Sequence, residues 1–305
     1  MQTKRLLRKH SRETTGSRIF DMVINALLFV IAIIMVYPFL SVVAMSMSSN
    51  SHLAMGDVTF YPKGFTLSAF RIIFEDKLIL KSYLNTIEYA LGSVVCTLVC
   101  TSLIAYPLSI EDFMAKRVIT IYLTITMFLG GGLIPTYLWI RQLNMVDTYW
   151  VMVIPGCVSA YNVFVFRTFF QGISKELREA AYIDGANDVV LLWKVILPLS
   201  KPLMATYTLF TVVGVWNSWF NALIYLSDET KYPLQLILRR YLFNDLSSIG
   251  GVINEGMQRM LQEMHINPKS VQMAIVVVAM APIMCIYPFV QKYFVKGVAL
   301  GSVKG

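Results

Sequence analysis

The sequence predicts an all-α membrane protein with six transmembrane helices and both termini in the cytoplasm. Three observations carry that expectation. The chain of 305 residues is 56% hydrophobic and only 14% charged, with a mean hydropathy of +0.61; soluble domains run near a quarter charged. Six segments stay apolar for about 20 residues, the length a helix needs to cross hydrocarbon. Lysine and arginine divide unevenly between the loops on alternate sides of those segments, and such residues accumulate on the cytoplasmic side.

The net charge of +8 sits mostly in short loops and tails. No basic run is interleaved with exposed aromatics, so the charge reads as topology and not as a nucleic-acid surface. With the N-terminus inside, the inner segments hold 16 lysines and arginines and the outer ones 10. The cluster Lys4, Arg5, Arg8, Lys9, Arg12 and Arg18 supplies most of that excess.

Residues 1–18 read as a cytoplasmic tail and 19–305 as a single transmembrane domain. The first apolar run, 19–47, is too long for the core of a cleavable signal and reads as a span. The second span, 84–106, carries Asn85, Tyr89, Gly92, Ser93 and Cys96 along one face. Small residues there suit close helix packing. In the third, 118–140, Gly130, Gly131, Gly132 and Pro135 should kink or break the helix. Such breaks are found where transporter backbone faces a cavity. The fourth, 149–166, is interrupted by Pro155 and Gly156. The fifth, 203–226, aligns Gly214, Asn217 and Asn221 at spacings of three and four, flanked by Trp216 and Trp219. Buried amides are costly in lipid, so this stripe should face the bundle or a pore. The sixth is 271–290.

Cys96, Cys100, Cys157 and Cys285 lie inside apolar stretches with no metal-binding spacing and read as small apolar helix residues. His10, His52 and His265 read as isolated and exposed. No GxxxxGK[ST] phosphate loop occurs, so this chain is not itself an ATPase. No nucleophile–base pair or paired catalytic carboxylates stand out. The expectation is a non-catalytic chain.

Two loops exceed ordinary connectors: 167–202 on the inner side, with 36 residues, and 227–270 on the outer side, with 44. The outer one contains an aromatic and basic run, Tyr232 to Tyr241. The inner one reads GISKELREAAYIDGANDVVLLWKVILPLSKP from Gly172. Ser174 suits an N-cap, and Gly185 suits the left-handed cap that ends a helix. Asn187 or Asp188 can then cap a second helix, which runs toward Leu197 and stops at Pro198. The loop is thus helix, glycine elbow, helix. From the residues alone it either docks in a groove of another protein or lies on the bilayer surface.

The spacing Glu179-Ala180-Ala181, Asp184-Gly185-Ala186, Val195 and Leu197-Pro198 resembles the EAA loop of permease subunits of ATP-binding-cassette importers, in its sugar-permease version. Val195 stands where the family usually has isoleucine. FLGGGLIPTY at 128–137, GVWNSWFNALIYL at 214–226 and FVKGVALGSVKG at 294–305 resemble a Gram-positive branch of carbohydrate permeases, similar to the small permease subunit of the maltose importer. The resemblance implies the type I importer permease fold. It implies that Glu179, Ala180, Ala181, Asp184, Gly185, Leu197 and Pro198 couple this chain to an ATPase. It further implies two ATPase subunits that bind ATP and Mg, no cofactor in this chain, a related second permease in a heterodimer, and a lipid-anchored extracellular solute-binding protein. The cargo would be an oligosaccharide, moved by alternating access across the cell membrane, with the outer loop 227–270 reaching into the binding protein, or its run 232–241 forming a folded cap. Because amides and aromatic faces bind sugars, Asn217, Asn221, Trp216, Trp219, Asn85 and Tyr89 are the candidate pathway lining, with interhelical hydrogen bonding as the competing role. A stand-alone secondary transporter or channel, or a membrane anchor, are the alternatives. The first would want charges inside the spans for ion coupling.

Overall fold

The structure, a computed structural model, describes residues 15–243 and 267–301. Among those residues the regular structure is helical, with no strand. The basic N-terminal cluster, His10, His265, most of the second half of the outer loop and the last four residues lie outside the described residues. The described chain falls into two units, 15–71 with 267–277, and 72–243 with 278–301.

In the first unit, α1 (Thr15–Ser46) is 32 residues long, a rise of about 48 Å. None of its most apolar window is buried. A helix apolar on every face suits lipid or another apolar chain. Ser46 and Ser48 end it by donating to the Val43 and Ala44 carbonyls at 2.8 and 2.6 Å. The short α2 (Asn50–Met55) closes a small core of Ala44, Leu53 and Val58. His52 is not isolated: its Nδ1 lies 3.1 Å from the Asp57 carboxylate, which also accepts from Lys63 Nζ at 3.0 Å. The lysine holds that carboxyl below its ordinary range.

After α3 (Ser68–Glu75), α4 (Lys77–Ser109) begins well before Leu84, because Asp76 caps it by accepting the Leu78 N–H at 2.7 Å. The third apolar segment divides into α5 (Lys116–Phe128) and α6 (Leu133–Gln142), bent by 120° at the glycine run. The fourth divides at Pro155 and Gly156 into α7 (Tyr149–Val153) and α8 (Ala160–Gln171). The inner loop forms α9 (Lys175–Ile183) and α10 (Asp188–Leu199), the latter with a π-helical turn at Leu192–Ile196. An 80° bend at Ser200 leads into α11 (Lys201–Trp216). Then come α12 (Phe220–Tyr225), a turn of 3-10 helix at Glu229–Lys231, α13 (Leu234–Phe243) and α14 (Pro268–Gly301).

Three of these helices are long and apolar enough to cross a membrane, and counting each bent pair as one span makes five. The expected fourth span does not form one apolar helix; its proline and glycine split it into two short ones. The expected stop at Pro198 also moves. Pro198 follows the π-helical turn, in which the Leu197 N–H reaches back to the Leu192 carbonyl, and α10 stops only at Ser200, whose hydroxyl donates back to the Ile196 carbonyl at 2.7 Å.

In the second unit α4 is central and packs against α8 and α11. The core is densest around Tyr106, Leu108, Phe166, Phe170, Leu191, Ile196 and Tyr207. Phe166 meets Phe170 and Tyr207 edge to face, at 5.9 and 4.9 Å between ring centres, a favoured aromatic arrangement. The same cluster takes in Ala181, Val195 and Leu197 of the inner loop, so the loop is seated on the bundle.

Candidate functional site: the 167–202 loop and the cap on α4

The loop helix α9 ends in a Schellman motif. Ala186 N–H donates to the Ala181 carbonyl at 2.9 Å and Gly185 N–H to that of Tyr182 at 3.0 Å. Gly185 has φ +82°, which an L side chain adopts only with strain. A Cβ at Gly185 would meet nothing within 4 Å, so backbone conformation alone demands the glycine. Asn187 then caps α10, its Oδ1 accepting the Val190 N–H at 2.9 Å. Ser174 stands at the N-cap of α9 but makes no cap bond; its hydroxyl donates to Glu176, whose carboxyl it lowers.

Three contacts fix the loop to the bundle. Arg178 donates to the Phe170 carbonyl at the end of α8. Lys175 pairs with Glu111, beyond α4, at 2.6 Å. Asp188 Oδ1 accepts the hydroxyls of both Tyr106, on α4, and Tyr182, at 2.8 and 2.6 Å. The Asp188 carboxylate pushes the Tyr182 hydroxyl pKa up. Beneath α9, a cleft of about 230 Å³ is bordered by Ser109, Glu111, Gln171, Lys175, Arg178 and Glu179.

Of the candidate coupling residues, Glu179, Ala180, Asp184, Gly185 and Pro198 are exposed, while Ala181 and Leu197 turn partly into the core. The exposed face is also apolar: Ile183 is 86% exposed, and Leu177, Val189 and Trp193 are about half exposed or more. A short amphipathic helix with an apolar outer face and small residues is shaped for a groove on another chain.

The second candidate set separates. The fifth span is not a continuous helix, because α11 ends at Trp216 and α12 begins at Phe220. The expected stripe therefore straddles a break. Asn217 and Asn221 are exposed; Asn217 Nδ2 donates to the Val213 carbonyl at 2.9 Å. Trp216 is 4% exposed and its indole N–H donates to the Ala279 carbonyl of α14 at 3.0 Å; here it packs helix on helix. Trp219 lies half-buried in the break under the Arg239 guanidinium.

Asn85 and Tyr89 are spent on another contact. Asn85 Nδ2 donates to the Thr230 and Tyr232 carbonyls at 2.7 and 3.1 Å, and Tyr89 to that of Lys231 at 2.8 Å. Next to them, Leu234 N–H donates to Thr86 Oγ1 at 2.9 Å. The run 232–241 is thus a folded cap on α4. At Gly92 a Cβ would fall 2.0 Å from the Tyr149 hydroxyl, which donates to the Glu88 carbonyl at 2.8 Å. Close packing is why glycine stands there.

A latch that sequence reading missed completes this face. Asp147, with φ +59°, accepts N–H bonds from Ser227 and Asp228 at 3.0 and 3.2 Å. Its own N–H donates to the Tyr225 carbonyl at 2.8 Å. Lys231 Nζ donates to its carbonyl and carboxylate at 2.8 and 2.9 Å. Lys231 holds the Asp147 carboxyl low, and Asp147 holds the lysine high. Asp147 and Asn144, the two non-glycine residues with positive φ among those described, mark a tight turn that a search for Asn and Asp between apolar segments could have found.

Residues 12–300 match the family model of the binding-protein-dependent transport system inner membrane component. The chain belongs to this family. It is 36% identical to the polygalacturonan/rhamnogalacturonan transport system permease protein YtcP of Bacillus subtilis, covering 95% of this chain and 99% of that one. It is 35% identical to the protein LplC of the same organism, over 96% and 97%. A crystal structure of a bacterial ABC transporter involved in import of the acidic polysaccharide alginate contains a chain 36% identical, matching with TM-score 0.87 over 92% of this chain and 98% of that one. A chain of a bacterial alginate ABC transporter in complex with a periplasmic protein bound to alginate pentasaccharide shares the fold at TM-score 0.53 and 12% identity, over 90% and 93%. This family member is a non-catalytic permease subunit of an ATP-binding-cassette importer, with the type I importer permease fold.

Proposed function

We propose that this permease carries an acidic oligosaccharide inward through a pathway it shares with a second, related permease, on delivery by an extracellular lipid-anchored binding protein. Two ATPase subunits, which bind the ATP and Mg, dock on α9 and the Gly185 elbow and move them. The chain itself binds no cofactor. Both termini are cytoplasmic, which puts the inner loop beside the ATPases and the latch of Asp147 and Lys231 at the outer face. Glu179, Ala180 and Asp184 meet the ATPase; Ala181, Leu197 and Pro198 pass its motion into the core.

The observation that supports the docking is the exposed apolar face of α9 beside an elbow hydrogen-bonded to α4 through Asp188. A groove-bound helix needs that face, and a transmission element needs that bond. The acidic nature of the cargo is supported by similarity to proteins named for polygalacturonan and alginate, both polymers of uronic acids.

The test is to purify the tagged chain from native membranes in mild detergent and identify what accompanies it. A different permease, two ATPase copies and ATP turnover raised by uronate-loaded binding protein are the expected result. A homo-oligomer without ATPase, from membranes that express one, sinks the reading in favour of a stand-alone transporter.

A further inference from the structure

A cavity of about 500 Å³ opens between the start of α4 and α14, against Ile73, Leu80, Tyr83, Leu84, Val278 and Ala281. All of these lie in the second unit. Among the lining residues only Tyr83 brings a polar side-chain group. Such walls offer a sugar almost nothing to bond. They suit a hydrocarbon chain, which gains from every methylene it buries.

The back wall is held in place. The Tyr83 ring meets Trp216 edge to face, at 5.4 Å between ring centres. The Trp216 indole donates to the Ala279 carbonyl, which lies between Val278 and Ala281 along α14. Ile73 and Ile79 are buried, while Leu80 and Leu84 are about half exposed, so a chain can enter from the side of α4.

Lys77 and Lys81 lie beside the mouth. They stand one helical turn apart, within about 60° of Leu84 around the helix axis. Both are exposed, and neither makes an ion pair or hydrogen bond with a described residue. The neighbouring Asp76 carboxylate is already engaged by the Leu78 N–H and the Tyr241 hydroxyl, at 2.7 and 3.1 Å. The 33 residues of α4 rise about 50 Å, against hydrocarbon about 30 Å thick, so its first turns reach the headgroup layer. An apolar cavity alone would take any lipid tail. Two unpaired ammonium groups at headgroup level select a lipid that carries negative charge.

We propose that this cavity binds one anionic phospholipid, with an acyl tail against Tyr83, Leu84 and Val278 and the phosphate on Lys77 and Lys81. Such a site needs the chain to span a bilayer and is indifferent to what the importer carries. A lipid seated there bridges the start of α4 and α14, and should stabilise the complex that binds it.

The experiment uses the complex purified from native membranes, companion subunits included, in vesicles of equal parts phosphatidylcholine and phosphatidylglycerol. A trace of either lipid carries a photoreactive group in its tail, and labelled peptides are identified by mass spectrometry. Phosphatidylglycerol should mark the peptides holding Leu80, Leu84 or Val278 about tenfold more than phosphatidylcholine does. The double variant Lys77→Gln/Lys81→Gln should lose that preference, and high salt should shrink it. Val278→Phe, which fills the cavity, should lose the label from both lipids. Thermal unfolding in pure phosphatidylcholine should be the same for the double variant and the wild type, so that a lost preference is not misfolding. Equal labelling by the two lipids in the wild type overturns the site, and so does a preference that survives loss of both lysines. Absence of label from these peptides in the assembled complex also overturns it, and gives the groove to a companion subunit.

Discussion

Tyr106 and Asp188 are joined by a 2.8 Å hydrogen bond across 82 residues of chain, tying the C-terminal end of α4 to the first residue of α10. Tyr182 donates to the same oxygen, so one carboxylate gathers α4, α9 and α10. Tyr106→Phe should cost about 1 kcal/mol of local stability. Its larger effect should be on coupling, read as sugar imported per ATP hydrolysed. Asp188→Ala removes the acceptor from both hydroxyls and should lower that ratio further. An unchanged ratio in both variants would show that motion reaches the spans by another route.

At Gly185 the backbone, not space, sets the residue. Valine there carries about 1–2 kcal/mol of strain and should unwind the elbow. Gly185→Val should abolish uptake while the spans still insert. Gly185→Asn, which tolerates the left-handed region, should keep much of it. Uptake assays on membranes with matched expression check both. Normal uptake by Gly185→Val would falsify the docking of α9 on the ATPase.

The latch of Asp147 and Lys231 gives a pH prediction. Asp147 has its carboxyl lowered chiefly by the lysine hydrogen bond. Its contribution is therefore present above the unfolded carboxylate pKa, about 3.9, and is lost as pH falls through the lowered folded value. Lys231 is raised chiefly by Asp147. Its contribution is present below the unfolded pKa of about 10.4 and is lost only as pH rises through the raised value. Thermal unfolding of the purified chain should show Asp147→Asn less stable than wild type across neutral pH. The gap should close below about pH 4.

Trp216 offers a test of the broken fifth span. As a buried donor to Ala279 it should be a packing residue. Trp216→Phe should cost about 1 kcal/mol of stability, and Trp216→Ala about 3–5 kcal/mol, with sugar selectivity unchanged. A selectivity change in the stable Phe variant would return Trp216 to the pathway.

The inner loop was the most legible part of the sequence. Its elbow depends on local backbone rules, and Gly185 and Asn187 act where those rules put them. The class of the chain was equally open to reading, since apolar length sorts membrane segments without tertiary detail. The outer face was not legible. Asn85 and Tyr89 sit on a face that reads as helix packing, but their partners are carbonyls far along the chain, at 230–232, and spacing carries no trace of such contacts. The stripe of Asn217 and Asn221 assumed an unbroken helix, and nothing between Trp216 and Phe220 announces the break. Asp147 lay in a short connector that hydropathy treats as mere punctuation.

The glycine run between α5 and α6 has a consequence for the life of the subunit before assembly. Neither helix is long enough to cross alone: the 13 residues of α5 rise about 20 Å, against hydrocarbon about 30 Å thick. The bend of 120° sets Gly130 and Gly131 between the two helices, while the Gly132 carbonyl opens α6 by accepting the Thr136 N–H and hydroxyl; lipid offers no hydrogen bonds to backbone left between helices. A newly made copy must find protein or water for it. Orphan chains should therefore be cleared by membrane proteases, and the supply of companion subunits would set how much of this protein a cell can hold.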